Sequence, residues 1–423
     1  MARAPTVLII LPTGTYRAEE YLAAATRLGA TVVVASEHAQ ALAGQMGDRA
    51  LEVPLDDPER AAALIVEQDA RIPLDAVMAV DDQGLLAAAL ASESLGLSHS
   101  PSTAVRLTRD KAAMRRAFAA SEVEQPRHLV VTPGSPDAVA RAAAVVGPPV
   151  VVKPCSLSGS RGVIRADTPD EAAAAAGRIR SILDAEGERA DSPLLVEAFV
   201  PGAEVAVEGV LTGGRLDVIA IFDKPDPLEG PFFEETLYVS PPALSREEWA
   251  AVEQAARAAA AALGLTDGPV HAELRLAPPE SAGAPRRPVV LEVAARTIGG
   301  RCSKALRLPG GATLEDLVVA RALGLPGPDP RLDGPAGVLM IPIPRSGILR
   351  EVRNVEEARA LEGITGVEIT IAPGRPIRAL PEGDRYVGFV FAAAGTAADV
   401  ERALRAAEDL LVVDVDPADT VIG

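Results

Sequence analysis

Two acids, Glu273 and Glu292, are spaced so that they could share a cation. Each lies in an apolar, strand-like run, Val270-His271-Ala272-Glu273-Leu274-Arg275-Leu276 and Val289-Val290-Leu291-Glu292-Val293. Pro278–Pro288, rich in Pro, Gly and Ala, reads as a turn, so the two runs predict a hairpin. Paired antiparallel strands can set the two carboxylates side by side on one face. Such carboxylates repel unless a cation sits between them. Hard oxygen donors suit Mg²⁺, which recruits substrate phosphates as further ligands. Arg296, just past the second strand, could hold a phosphate or a carboxylate bidentately. The alternative is a plain hairpin with two solvated acids, and only phosphate-binding parts upstream displace it.

Two such parts are present. Val150-Val151-Val152-Lys153-Pro154 reads as a strand delivering a lysine at its end. Ser156-Leu157-Ser158-Gly159-Ser160-Arg161-Gly162 follows, then the strand Val163-Ile164-Arg165. A Gly/Ser-rich loop between antiparallel strands can fold over phosphates and aim backbone N–H groups at them. It lacks the Gly-Lys-Ser/Thr ending of a P-loop, so a Walker NTPase is not supported. The second part, Leu194–Glu204, reads as a strand, a short connector and the start of another strand. Such a connector can offer backbone groups to an adenine edge, and an acid a few residues on can bind a ribose diol. Read singly, each part is also an ordinary turn or strand connection.

The surrounding elements must position these groups. Val7–Leu11, Thr31–Ala35 and Ala76–Val80 read as strands. Ala18–Leu28, Pro58–Gln68 and Gln83–Leu95 read as helices, with Gly29 and Gly96 as stops. This β-α alternation predicts a parallel sheet with ligands beyond the strand C-termini, near Gly14 and Asp81. Thr103–Ala120 reads as one helix, and Pro169–Leu183 and Arg246–Leu263 as two more. After the linker Pro326–Pro330, the strands Val338–Pro342, Gly366–Ile371 and Tyr386–Ala392 and the helices Val355–Leu361 and Ala397–Leu410 predict a small α+β unit.

Composition narrows the function classes. The 423 residues suffice for two or three domains. A formal net charge of -18 repels phosphate backbones and anionic lipid, so neither nucleic acid nor membrane is the expected partner. No apolar run reaches transmembrane length, and the first residues do not read as a signal peptide. Cys155 and Cys302, the two cysteines, make neither a disulfide framework nor a zinc site. A cytoplasmic protein with reduced thiols is expected.

The order of parts is an αβ unit, a lysine in a helix, a strand-lysine, a glycine-rich loop, a Glu-bearing linker and an acid hairpin. In this order residues 1 to about 330 resemble the ATP-grasp superfamily. The resemblance implies an α/β and α+β multidomain chain. A Rossmann-like pre-ATP-grasp domain would cover 1–105, and an ATP-grasp domain with central and nucleotide-binding subdomains 106–330. A small C-terminal α+β domain resembling that of L-amino acid ligases would cover 331–423. It further implies that Lys111 and Lys153 hold ATP, and that Ser158, Gly159, Ser160 and Gly162 cover its phosphates. Ala198 and Val200 would offer backbone contacts, Glu197 would face the adenine amino group, and Glu204 the ribose. Glu273 and Glu292 would bind Mg²⁺, with Mn²⁺ as a substitute, and Arg296 would stabilise the transferring phosphoryl group. Ala294 stands where many members have Asn, which removes one metal ligand. The resulting Glu-x-Ala-Ala-Arg, with His271-x-Glu273, resembles the L-amino acid ligase branch, which makes dipeptides.

The implied reaction is ATP-dependent activation of a carboxylate to an acyl phosphate, then attack by an amine, releasing ADP and phosphate. Small-molecule carboxylate and amine substrates are the expected partners, and a homodimer is usual for lookalikes. Asp223–Glu235, rich in Pro, Gly, acids and aromatics, is a candidate lid. Glu234 or Glu235 could bind an amino group, and Arg301 or Arg307 a substrate carboxylate. His271 is a candidate base for the amine, although hydrogen bonding to a neighbouring acid is the favoured role. The alternatives are other ATP-grasp chemistry, such as a biotin-carboxylase-like or purine-pathway ligase, and a non-catalytic nucleotide-binding module.

Overall fold

Strands that are apolar at every position need cover on both faces. Thr6–Ile10 is such a strand, buried throughout, and lies inside a four-stranded parallel sheet. The computed structural model describes residues 3–38, 46–132, 135–279, 281, 283–383 and 385–417. The sheet order is Ala50–Glu52, Thr31–Ser36, Thr6–Ile10, Ala76–Ala79. Helices Ala18–Arg27, Pro58–Asp69 and Leu85–Leu95 fall where the sequence placed them. Asp57 caps the second by accepting from Arg60 N, and Gly96 closes the third in the left-handed conformation.

The single helix expected over Thr103–Ala120 is two, Ser102–Arg109 and Lys111–Ala120. Asp110 is the reason. Its backbone is extended and its side chain accepts from Ala112 N and Ala113 N, so it ends one helix and caps the next. The break turns Lys111 inward, where it is buried.

The strand-Lys153 and linker segments belong to a four-stranded antiparallel sheet. Its order is His128–Val131, Leu194–Ala198, Val150–Pro154, Ile164–Ala166. Helices Pro136–Val146 and Pro169–Ala185 pack on it through Val139, Ala143, Ala172, Ala176 and Ile179.

The acid hairpin is the edge of an eight-stranded antiparallel sheet. Its order is Arg287–Ala294, Gly268–Ala277, Ala203–Thr212, Arg215–Lys224, Leu237–Ser240, Ala336–Ile341, Gly388–Ala393, Ile364–Ile369. Part of the turn predicted at Pro278–Pro288 lies outside the described residues. The last three strands come from the C-terminal unit, so that unit prolongs the sheet. Helix Arg246–Ala262 covers the hairpin half with Val252, Ala256, Ala259 and Ala260, one stripe at helical spacing. Ser245 and Glu248 form a capping box that fixes its start. Beyond the shared sheet, Pro376–Ile377, Gly347–Arg353 and Val412–Asp416 form a separate three-stranded sheet.

Candidate active site

A cleft of about 920 Å³ opens between the parallel sheet, the two antiparallel sheets and the C-terminal unit. Gly14 and Asp81, beyond the C-terminal ends of parallel strands, line it as the sheet topology predicts.

The hairpin forms its floor. Glu273 is directly opposite Glu292, with a bulge just after Glu273. Glu273 Oε1 lies 3.3 Å from His271 Nε2 and 3.4 Å from Lys224 Nζ. Glu292 Oε1 lies 3.0 Å from Lys111 Nζ. Both carboxylates are partly exposed to the cleft, at 24% and 28%. Two oxygen donors on one face, open to the cleft, fit a hard divalent cation that completes its shell with phosphate and water. Ala294, buried at the level of His271, offers the cation no side-chain donor.

His271 is clamped from behind. Its Nδ1 is 2.8 Å from Oε1 of the fully buried Glu208, whose Oε2 accepts from Ile298 N at 3.0 Å. Burial opposes protonation of the ring, but the bonds to Glu208 and Glu273 outweigh it and raise its pKa to about 9. The ring thus bridges Glu208 and Glu273, hydrogen-bonded to an acid on each side.

The two lysines sit above the floor. Lys111 Nζ donates to Leu157 O at 2.6 Å, tying the floor to the glycine-rich loop. Lys153 Nζ is 2.7 Å from Glu197 Oε2, and Arg115 Nε is 2.5 Å from Glu197 Oε1. Burial would raise the Glu197 carboxyl, yet these two cations hold it down at about 2. Glu197 lines the cleft but commits both oxygens to Arg115 and Lys153. These bonds hold Lys153 in place beside the cleft.

Ser158, Gly159 and Ser160 line the cleft, with Gly159 and Ser160 at φ +65 and +57. Gly162, at φ +66, lies behind that wall, and its N–H donates to Pro381 O of the C-terminal unit. A Cβ there would press on the Pro154 ring at 3.2 Å. In the linker, Ala198 N donates to Arg127 O and Val200 O accepts from Arg275. Phe199 and Phe233 stack with centroids 6.4 Å apart, and with Val151 and Leu228 they give this end apolar walls. The expected lid over Asp223–Glu235 is docked here. Pro231 O accepts from Arg165 N at 2.9 Å, and Phe232 bridges to Ile164.

Glu204 lines the cleft, 2.9 Å from Arg275 Nε. Glu235 also lines it, but Glu234 does not. Arg301 and Arg307 are not on its wall either. Arg301 pairs with Glu368 beside a separate small cavity. Arg307 donates to Lys304 O and Leu306 O. Glu234, Arg301 and Arg307 thus lie off the wall of this cleft, whereas Glu235 is on it.

Sequence reasoning missed the residues that hold Arg296. Its Nε is 3.1 Å from Asp82 Oδ1, which also lies 3.1 Å from Arg109 Nη1. Burial would raise the Asp82 carboxyl, but Arg296 and Arg109 push it far below the usual carboxylate range. Arg17 donates to Thr297 O, Thr297 Oγ1 and Ile298 O, so the N-terminal sheet grips the segment after Arg296. The signal was present in Asp81-Asp82 at a strand end. The C-terminal unit adds Arg385, Tyr386 and Phe389 to the wall, and Tyr16 meets Phe389 at 6.1 Å. Cys155 and Cys302 are buried, and burial raises both thiols, Cys155 to about 11.

Known proteins share this arrangement. Residues 22–99 match the ATP-grasp N-terminal domain, 146–305 the ATP-grasp domain, and 339–416 the L-amino acid ligase C-terminal domain 2. Alanine–anticapsin ligase of Bacillus subtilis is 25% identical over 284 residues, 62% of this chain and 58% of that one. The protein of that name from strain 168 is 28% identical over 264 residues, 58% of this chain and 54% of its own. The chain thus spans little more than half the length of these relatives. The crystal structure of L-amino acid ligase from Bacillus licheniformis superimposes with TM-score 0.78 at 25% identity, over 98% of this chain and 100% of that one. Carboxyaminoimidazole ribonucleotide synthase from Aspergillus clavatus, complexed with ATP, shares the fold with TM-score 0.74 at 18% identity, over 96% and 98%. The chain thus carries an ATP-grasp domain at its centre, flanked by segments that match the ATP-grasp N-terminal domain and the L-amino acid ligase C-terminal domain 2.

Proposed function

We propose that the cleft binds ATP and uses it to join a carboxylate to an amine, with an amino acid among the substrates. One observation carries this reading. The paired acids Glu273 and Glu292 and the lysines Lys111 and Lys153 line one cleft whose apolar end is walled by Phe199 and Phe233. The match of residues 339–416 to the L-amino acid ligase C-terminal domain supports the amino acid.

Adenine enters the slot beside Phe199 and Phe233, against backbone of Ala198 and Val200, and Glu204 takes the ribose. Lys111 and Lys153 meet the phosphates beneath the loop Ser158–Ser160. Glu273 and Glu292 would hold Mg²⁺, which would supply charge neutralisation at the phosphates. Arg296, aimed by Asp82, binds the carboxylate and the γ-phosphate together. A carboxylate oxygen attacks the γ-phosphorus, the bond to the β-phosphate oxygen breaks, and ADP leaves. The amine nitrogen then attacks the acyl carbon, the bond from that carbon to the phosphate oxygen breaks, and the departing phosphate takes up the proton the nitrogen loses. The wall of Tyr16, Phe389 and Tyr386 keeps water from the acyl phosphate.

Functionally the chain divides into 1–105, which presents Asp82 and Tyr16, 106–330, which binds nucleotide, and 331–423, which closes the acceptor side. A cytoplasmic homodimer is part of this reading, and light scattering on the purified chain tests the dimer. ADP release measured with ATP, Mg²⁺ and pooled amino acids tests the activity. Release that rises when amino acids are added is expected, and no rise with any pool overturns it.

A further inference from the structure

Lys224 ends the strand Arg215–Lys224, and its ammonium is the meeting point of three carboxylates from three segments. Glu204 Oε1 is 2.6 Å away, Glu273 Oε1 is 3.4 Å away, and Glu235 Oε1 is in direct hydrogen-bond contact. The Lys224 side chain is 2% exposed. The Tyr238 ring covers it, with its centroid 5.1 Å from Nζ.

One oxygen from each acid lies within 4.8 Å of the other two. A divalent ion with oxygen bonds of roughly 2.1–2.6 Å sets opposite ligands about 4–5 Å apart. The three acids therefore have the spacing of a divalent-ion shell, with an ammonium in the position of the ion. An ammonium has three donors and no acceptor, so one Lys can serve three acids at once.

We propose that Lys224 is a resident cation, a positioning residue that replaces a divalent ion among Glu204, Glu235 and Glu273. It keeps these carboxylates converged before any ligand arrives. It also denies this cluster to a metal, which leaves the free side of Glu273 to face Glu292. That last consequence rests on the reading of the hairpin as the metal floor. The occupancy of the cluster by Lys224 does not.

The test compares thermal unfolding of the full chain with and without Mn²⁺, in the absence of nucleotide, for wild type, Lys224→Met and Lys224→Met/Glu235→Gln. Lys224→Met uncovers the three acids, so Mn²⁺ at about 1 mM raises its Tm at least ~3 °C more than it raises that of wild type. The double variant lacks one ligand and loses that extra shift. Equal Mn²⁺ responses in wild type and Lys224→Met overturn the proposal. A double variant that responds as fully as the single one overturns it too. So does a Lys224→Met chain that stays unfolded in Mn²⁺, because a cation in the same place should replace the ammonium. No arm reads ligation, so failure here leaves the ligase reading standing, and absence of ADP release leaves this proposal standing.

Discussion

Glu273 and Glu292 face each other across one rung of the hairpin, yet each is bound by a different set of cations. Glu273 takes His271 and Lys224 from its own sheet, whereas Glu292 takes Lys111 from the helix Lys111–Ala120. The pair therefore joins two structural bodies at its two oxygen faces. A cation placed between them would lock the nucleotide end of the cleft to the floor.

Removing one acid should break that lock. Glu292→Gln keeps the shape but removes the charge that faces Lys111. We expect kcat to fall on the order of 100-fold, because charge stabilisation at the transferring phosphoryl group is lost. Calorimetry should show ADP affinity that no longer responds to Mg²⁺. An unchanged Mg²⁺ response would remove Glu292 from the metal site.

Asp82 Oδ1 meets both Arg296 and Arg109. In Asp82→Asn the arginine is no longer aimed, and misplacement of a reacting group costs roughly 10–100-fold in rate. Because the proposed ATP site lies elsewhere in the cleft, KM for ATP should stay within about 2-fold while kcat falls. Steady-state ADP release gives both numbers. A rise in KM alone would place Asp82 in ATP binding instead.

Glu197 predicts a pH effect. Its folded pKa, held at about 2 by Arg115 and Lys153, is below its ordinary value of 4.5. The resulting stability is fully present above the ordinary value and is lost as pH falls through about 2. The shift corresponds to roughly 3 kcal/mol. Urea unfolding of wild type and Glu197→Gln should differ most at neutral pH and converge as pH drops from 5 toward 2. A gap that does not change with pH would contradict this.

Gly162 closes the loop proposed to cover the phosphates. Gly162→Ala adds a Cβ at φ +66 against Pro154, a conformation that costs about 1–2 kcal/mol for a residue with a side chain. KM for ATP should rise several-fold, because the loop shifts and its hold on Pro381 O loosens. Ala at the exposed Gly187, also at positive φ with nothing within 4 Å of the added Cβ, controls for backbone strain alone. Equal effects of the two substitutions on KM would sink the argument.

The sequence made the alternating β-α start, the strand-Lys153, the acid hairpin and its register-bearing acids legible, because each is written in local pattern. The split at Asp110 escaped because a helix cap inside a continuous apolar stripe looks like one more polar position. The strands Gly347–Arg353 and Val412–Asp416 escaped because charged residues interrupt them and few of their side chains are buried. The partners of Arg296, Lys153 and Lys224 come from segments 11 to 214 positions away in the chain. Charge pairing at that range follows from tertiary packing, which local spacing does not encode.

The most direct measurement is product analysis by mass spectrometry after incubating the chain with ATP, Mg²⁺ and mixtures of amino acids. The account predicts an amide whose mass is the sum of two substrates less one water, formed in step with ADP. Nucleotide binding without ADP formation for every amino acid pair, or ADP formation without any amide, would contradict it.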